Sequence, residues 1–312
     1  MSKSDEDALR TALPGAQDHG DGRVTFALYA PSKKRVEVLG DFNGFSAGRN
    51  VLTERNGGYW VGLARLESGK RPYQFLIDGE LLVCDPYAQE VGDGEGDAPR
   101  AIIDVGRPPY PWQNEDQLRP ALEDMIIYEL HVGDFSASGD FGGVIERLDW
   151  LADLGINAVE FMPLCECDSD DYWGYQPAYY LAPRRRYGGF GDLTRLIDEC
   201  HGRGMAVLMD LVLAHTGQQH PFMRMYPYDQ SPWYGQALGE PNAYALPTLD
   251  YARDATNSFV RDVQAYWLRV LHVDGFRYDY LVSVGAGQDN GRGVDQGVRS
   301  EERRVGKECR SR

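Results

Sequence analysis

One stretch decides the fold of the C-terminal part of this chain: Met205-Ala-Val-Leu-Met-Asp-Leu-Val-Leu-Ala-His215. A short apolar run bounded by turn signals is typical of a β-strand buried on both faces, as in a parallel sheet covered by helices. Because an unpaired charge is costly in such a strand, Asp210 must be paired or hydrogen-bonded. Taken alone, the stretch favours a structural Asp satisfied by a neighbouring Arg. Asp210 and His215 are nevertheless candidates for a site at the C-terminal end of the strand.

Strands alternate with helices on both sides of this stretch. Apolar runs predict further strands at 125–132, 158–162 and 275–280, and apolar stripes predict helices at 144–155, 193–204 and 259–271. This alternation is typical of right-handed βαβ units in a parallel sheet. Periodicity does not decide between an open sheet and part of a (β/α)₈ barrel. No Gly-x-Gly-x-x-Gly follows the first strand, which disfavours a dinucleotide-binding fold.

The N-terminal part has a different pattern. Short alternating runs at 24–29, 35–39, 59–63 and 73–77, separated by turn residues, predict an antiparallel, immunoglobulin-like β-sandwich over residues 22–106. Residues 1–21 are polar and are interpreted as a flexible lead-in, and residues 107–120, with four prolines, as a linker. The α/β domain then covers residues 121–298, and residues 299–312 form a basic tail.

Composition narrows the range of partners. The formal charge of −16 over 312 residues disfavours nucleic acid and anionic membrane surfaces, whereas a neutral polar substrate is indifferent to it. The N-terminus has no apolar run after a basic start, and no stretch approaches the about 18 apolar residues of a membrane span. Five cysteines, an odd number without framework spacing, predict free thiols in a reducing cytoplasm. No cofactor is expected, and no second ligand pair accompanies Cys165 and Cys167, so zinc is not expected either.

Polar residues follow each predicted strand of the α/β domain at its C-terminal end. They are His131 after the first strand, Trp173-Gly-Tyr-Gln176 in the insertion after the second, Asp210 and His215 on the third, and Arg277 and Asp279 on the fourth. Open α/β sheets and barrels place their sites at this end of the strands. Four successive strands that end in this way are hard to explain by packing alone.

Two family resemblances follow from longer motifs. Residues 26–31, 38–45, 57–60, 73–79 and 85–88 resemble a family 48 carbohydrate-binding module, with Phe45 where a Trp is usual. The α/β part resembles the α-amylase superfamily, glycoside hydrolase family 13, and within it the glycogen branching enzymes. The motifs that carry this second resemblance are 127–133, 160–163, 173–177, 186–189, 210–215 and 274–279.

The second resemblance implies the first half of a (β/α)₈ barrel and a retaining reaction on α-1,4-glucans such as glycogen, starch or maltooligosaccharides. It implies that Asp279 is the nucleophile and that Arg277 keeps it ionised. Asp210 and His215 would bind sugar hydroxyls, Tyr175 would stack on the sugar, and His131 would also contact substrate. Branching in glycogen metabolism is the activity that the motifs favour. Isoamylase-type debranching, α-amylase hydrolysis and a non-catalytic α-glucan-binding scaffold stay open.

Two departures from the family pattern limit these expectations. Ala214 stands where many members have an Asn that helps to hold calcium, so no metal is predicted. The family's general acid, a Glu after the fifth strand, and its third carboxylate, an Asp after the seventh, have no counterpart. Glu301, Glu302 and Glu308 lie in the basic tail, without a strand pattern around them. We therefore expect a C-terminally truncated fragment that is inactive and poorly soluble; oligomeric state is not predicted.

Overall fold

The chain divides into two compact units, one of residues 1–109 with 179–182 and the other of residues 110–178 with 183–312. The computed structural model describes residues 2–55, 57–94, 98–169, 171–234 and 245–280. The basic tail and the three glutamates in it, like all residues after 280, lie outside the described residues.

The first unit consists of two antiparallel sheets and one helix. Its elements are α1 Lys3–Thr11, β1 Gly15–Asp18, β2 Arg23–Tyr29, β3 Val36–Gly40, β4 Thr53–Arg55, β5 Tyr59–Arg65, β6 Gly69–Ile77, β7 Leu81–Val83, β8 Val91–Gly92 and β9 Arg100–Val105. One sheet has the order β1-β2-β5-β4; the other has β3-β6-β9-β8, with β7 beside β6. Phe26 of β2 packs edge-on against Tyr73 of β6, with ring centroids 5.0 Å apart. The predicted β-sandwich is confirmed.

The N-terminal segment differs from the flexible lead-in predicted for residues 1–21. A capping box begins α1: Asp5 donates its N–H to Ser2 Oγ, and Ser2 donates its N–H to the Asp5 carboxylate. This reciprocal pair satisfies two N–H groups that would otherwise have no partner. After it, β1 pairs with β2 as an outer strand, and Asp18 accepts a hydrogen bond from the N–H of Gly106 at 2.6 Å. Ser2 and Asp5 have the spacing of a capping box in the sequence, but the polar composition of residues 1–21 favours a flexible lead-in.

The second unit is built on a parallel sheet. The elements after residue 110 are β10 Ile127–Leu130, α2 Val132–Phe135, α3 Phe141–Ile145, α4 Leu148–Asp153, β11 Ala158–Phe161, β12 Cys165–Cys167, β13 Pro177–Pro183, α5 Phe190–Gly202, β14 Ala206–Val212, α6 Pro221–Met225, α7 Asp254–Arg269 and β15 Gly275–Asp279. Residues 179–182 of β13 are grouped with the first unit. The four parallel strands have the order β10-β11-β14-β15. The predicted parallel sheet is confirmed, and the strand of the opening stretch, β14, lies inside it.

The helices of the second unit follow the predictions with one exception. The helices predicted at 193–204 and 259–271 correspond to α5 and α7, which bury one face each. The helix predicted at 144–155 is divided instead into α3 and α4, because Arg147 leaves helical geometry with ψ near 1°. Within the described ranges, no helix is long and apolar enough to cross a membrane.

The segment predicted as a Pro-rich linker is anchored at its C-terminal end. Asp198 of α5 accepts hydrogen bonds from the N–H groups of Gln113 and Asn114, the latter at 2.9 Å. Arg119 donates to the carboxylate of Asp274, just before β15, at 3.2 Å. Residues 113–119 therefore have fixed partners within the second unit, although they form neither a helix nor a strand.

Candidate active site

Arg277 lies at the centre of the candidate site. Its Nη1 donates to both carboxylate oxygens of Asp210, at 3.0 and 2.9 Å, and to Asp279 Oδ1 at 2.7 Å. The sheet explains this geometry: Arg277 and Asp279 are two residues apart on β15 and so face the same side, and the parallel register places Asp210 opposite Arg277. Tyr175 completes the cluster, because its hydroxyl donates to Asp210 Oδ2 at 2.8 Å. The structure therefore brings four of the predicted site residues together.

The electrostatics of the cluster favour a buried carboxylate held by fixed donors. Asp210 is fully buried, and burial raises its pKa, while hydrogen bonds from Tyr175 and Arg277 act in the opposite direction. Burial lowers the pKa of Arg277, but its hydrogen bonds to Asp210 and Asp279 outweigh burial and raise that pKa above its usual value. Burial and the bond to Asp210 both raise the pKa of Tyr175, so its hydroxyl stays a donor. Asp210 is thus both paired with an Arg and part of the site.

Tyr175 is presented by a tight turn. The Asp171 carboxylate accepts hydrogen bonds from the N–H groups of Trp173, at 3.1 Å, and Gln176, at 2.6 Å. Gly174 has φ of +93°, and a Cβ there would lie 3.0 Å from Pro163 Cβ. Only glycine adopts such a conformation readily, so the Trp-Gly-Tyr spacing is a requirement of the turn.

His215 is adjacent to this turn. It lies just beyond β14 and is buried, and its Nε2 is 2.8 Å from the carbonyl oxygen of Tyr175, to which it donates. Burial lowers the pKa of His215. His215 thus supports the backbone of the sugar-stacking candidate Tyr175, and its predicted contact with sugar hydroxyls stays a prediction.

His131 bonds to protein side chains through both ring nitrogens. Its Nδ1 is 2.7 Å from Asp134 Oδ2, and its Nε2 is 2.8 Å from the hydroxyl of Tyr187. Its side chain is only 7% exposed. Both ring nitrogens thus have partners in the protein, and the contact of His131 with substrate stays a prediction.

Three residues that hold the turn were not predicted as site residues from the sequence: Asp171, Arg184 and Tyr187, the last of which lies in the motif 186–189. Arg184 donates to the carbonyl oxygens of Asp171 and of Tyr172, the latter at 2.8 Å. A signal for Arg184 is present, since three consecutive arginines follow Pro183 directly after a buried strand. Two of the acceptors of Arg184 are backbone carbonyls, which no motif reveals.

The described residues do not form a group of ligands suited to a metal ion. In the residues that the structure describes, no group of three or more His, Cys, Asp and Glu side chains could hold a metal ion. Burial raises the pKa of the Cys167 thiol to about 12, and its Sγ donates to the carbonyl oxygen of Asp171 at 3.3 Å. Such a thiol is a poor metal ligand, because metals bind the thiolate.

Comparison with known proteins gives the class of this molecule. Residues 14–88 match carbohydrate-binding module 48 (isoamylase N-terminal domain), and residues 123–237 match the α-amylase catalytic domain. The chain thus joins a carbohydrate-binding-type module to an α-amylase-type catalytic domain. It belongs to the α-amylase superfamily, glycoside hydrolase family 13.

Individual relatives agree with this assignment. The chain is 30% identical to the malto-oligosyltrehalose trehalohydrolase of Saccharolobus solfataricus over 84% of its own length and 44% of that protein. It is 30% identical to the 1,4-α-glucan branching enzyme of Shewanella frigidimarina, over 86% of its own length and 38% of that protein. A crystal structure of a putative α-amylase from Salmonella typhimurium is similar with a TM-score of 0.76 and 25% identity, covering 90% of this chain and 45% of that one. The chain therefore spans less than half the length of these relatives.

Proposed function

We propose that this chain carries the nucleophile side of a retaining enzyme that acts on α-1,4-glucans. The observation that carries the proposal is the cluster of Asp279, Arg277, Asp210 and Tyr175, in which a single guanidinium nitrogen contacts both carboxylates. A carboxylate held beside a cation at the C-terminal end of a parallel strand is suited to attack an anomeric carbon.

The chemistry assigns a separate role to each residue. Asp279 attacks the anomeric carbon and forms an ester with it, while the glycosidic oxygen leaves with a proton from a general acid. A retaining mechanism places that acid about 5–5.5 Å from the nucleophile. Arg277 orients Asp279, and Tyr175 stacks on the sugar ring. The resemblance puts the acid on a later strand of a (β/α)₈ barrel, of which the four described strands would be the first half.

Within this class we propose branching of α-1,4-glucan, acting in the cytoplasm. The motifs and the Shewanella frigidimarina relative support it. Debranching is the next candidate, because the matched module is described as an isoamylase N-terminal domain. The Saccharolobus solfataricus relative adds a trehalohydrolase as a candidate that the motifs alone did not suggest. A non-catalytic α-glucan-binding scaffold is the alternative from another class.

Calorimetric titration with maltoheptaose tests the proposal on the 312-residue chain. We expect binding, and we expect Tyr175→Ala to weaken it by about tenfold, corresponding to about 1.4 kcal/mol for one lost stacking contact. Cellohexaose, a β-1,4-glucan, is the matched control ligand and should not bind. Affinity for maltoheptaose that is unchanged in Tyr175→Ala would show that binding does not involve Tyr175 and would contradict the site.

A second titration distinguishes a trehalohydrolase from a branching enzyme. A trehalohydrolase site should prefer a malto-oligosyltrehalose to a maltooligosaccharide of equal length, because it recognises the terminal trehalose. A branching site should bind both with similar affinity. A preference of tenfold or more for the trehalose-ended chain, which is about 1.4 kcal/mol, would contradict branching.

A further inference from the structure

The turn that presents Tyr175 rests on a closed network of five side chains, which we call the turn-support network: His131, Asp134, Tyr172, Arg184 and Tyr187. Tyr172 is held at both ends, because its hydroxyl donates to Asp134 Oδ1 at 2.8 Å and its carbonyl accepts from Arg184 Nη1 at 2.8 Å. His131 and Tyr187 connect these two ends. The first residues of the turn are therefore fixed on two sides.

The direction of the hydrogen bonds follows from chemistry. The Asp134 carboxylate only accepts, and hydrogen bonds from Tyr172 and His131 hold its pKa below the usual value. His131 Nδ1 therefore donates to it. His131 Nε2 lies 2.8 Å from the hydroxyl of Tyr187 and 3.3 Å from the carbonyl oxygen of Tyr172. The oxygen of Tyr187 in turn accepts from Arg184 Nη1 at 3.1 Å. A single hydroxyl thus joins the histidine half of the network to the arginine half.

Burial separates His131, Arg184 and Tyr187 from the surface that a sugar could reach, whereas Asp134 and Tyr172 of the same network are exposed. The His131 side chain is 7% exposed and Arg184 is 7% exposed, whereas Trp173, in the middle of the turn, is 59% exposed. The buried residues bond to each other and to backbone carbonyls of the turn. His131 and Arg184 are consequently placed to act on the turn and not on a ligand.

The network reaches Tyr175 through the backbone of the turn. Arg184 holds the carbonyl of Asp171, and the carboxylate of the same Asp171 binds the N–H groups of Trp173 and Gln176 on either side of Tyr175. Tyr175 itself contacts Asp210. We propose that His131, Arg184 and Tyr187 are positioning residues that hold Tyr175 at Asp210 and thereby set the affinity for the glucan. The inference rests on the proposed function for the part that concerns the glucan.

Tyr187→Phe is the sharpest test, because it removes only the hydroxyl that joins the two halves. Tyr234→Phe is the matched control: Tyr234 is buried, and its hydroxyl bonds to Thr216 at 2.6 Å, outside the network. Without ligand, hydrogen exchange at the N–H groups of Trp173 and Gln176 should accelerate by about tenfold in Tyr187→Phe. It should stay at the wild-type rate in Tyr234→Phe.

The second readout is coupling to Tyr175. Tyr187→Phe should weaken maltoheptaose binding by about fivefold in the wild-type background and by less than about twofold in Tyr175→Ala. A residue that only stabilises the fold would weaken binding equally in both backgrounds. Arg184→Lys, which keeps one donor nitrogen, should show a smaller effect than Arg184→Met on both hydrogen exchange and maltoheptaose binding.

The outcomes distinguish the two proposals. Wild-type exchange at residues 173 and 176 in both Tyr187→Phe and Arg184→Met would overturn the positioning role, whatever the chain binds. Should Arg184→Met fail to fold, Tyr187→Phe alone decides in the same way. A wild-type chain that binds no maltoheptaose, but shows accelerated exchange in Tyr187→Phe, would contradict the proposed function and leave the support of the turn established.

Discussion

At the scale of single residues, the candidate site depends on Arg277, because one of its nitrogens contacts three carboxylate oxygens. The residues of this cluster could be predicted from the sequence, since Asp210, Arg277 and Asp279 each lie within a stretch that has the pattern of a strand. The parallel pairing of β14 with β15 places Asp210 opposite Arg277, which brings the three residues together. The partners of His131 and His215 could not be predicted in this way. Tyr187 and the carbonyl of Tyr175 are far from them along the chain, and only the folded backbone brings them close.

Arg277→Lys should impair the site more than the conserved charge suggests. A lysine ammonium is a point charge and does not reproduce the planar guanidinium that contacts Asp210 and Asp279 together. We expect attack by Asp279 on a glycosyl fluoride to slow by at least about tenfold. Arg261→Lys is the matched control, since Arg261 lies exposed on α7 and contacts Ser258. Equal rates in the two variants would show that the shared contact is not needed.

At the scale of elements, the buried strands were the most predictable features, because an unbroken apolar run has few alternatives in a sheet covered by helices. The ends of β14 and β15 agree with the prediction to within a few residues. The division of the first predicted helix into α3 and α4 could not be foreseen, because the apolar stripe continues across Arg147. Nor could the small strands β4, β7 and β8, which are too short for a periodic pattern.

Gly174→Ala tests the turn as an element. The added Cβ would lie 3.0 Å from Pro163 Cβ and would require φ of +93°, so the backbone on which Tyr175 is held must shift. We expect maltoheptaose affinity to fall by at least about tenfold. Gly155→Ala is matched in backbone cost, since Gly155 has φ of +81° but nothing within 4 Å of an added Cβ. Titration of both variants decides: equal affinities would mean that the turn does not set binding.

At the scale of the whole molecule, one buried group in each unit should make a contribution to stability that depends on pH, and the two contributions should change in opposite directions. Asp85, in the first unit, is buried, and burial raises its pKa to about 6 from an ordinary 3.8, although bonds from Tyr73 and Tyr87 oppose this. His220, in the second unit, is also buried, and burial lowers its pKa to about 3 from 6.5. Each group contributes up to about 1.4 kcal/mol per pH unit between its two pKa values.

The sign differs because folding favours the protonated Asp85 and the neutral His220. The Asp85 contribution is fully present below pH 3.8 and is lost as pH rises through about 6. The His220 contribution is present above pH 6.5 and is lost as pH falls towards 3. Denaturant unfolding at pH 7 and pH 4.5 should therefore show a loss of stability in the second unit that comes from His220. His220→Gln should reduce this loss, and an identical loss in that variant would contradict the assignment.

The predicted barrel concerns the two outer strands of the parallel sheet. Among the described residues, β10 and β15 are the outer strands of the parallel sheet, and Ile127 on β10 is 45% exposed. The resemblance predicts that further strands would close a barrel over this sheet, and the greater length of the relatives agrees with that. Barrel closure stays a prediction, because it depends on residues that the described sheet does not contain.

The most direct test of the central claim is covalent trapping of the nucleophile. The probe is an α-maltosyl fluoride with a second fluorine at C5 of the reacting sugar, whose fluoride leaves without help from a general acid. As the C1–F bond breaks, an ester should form between C1 and Asp279, and mass spectrometry should find the glycosyl group on the peptide that contains Asp279. The variant Asp279→Asn should remain unmodified. A chain that binds maltoheptaose but gains no mass, or carries the adduct on another residue, would contradict the assignment of Asp279.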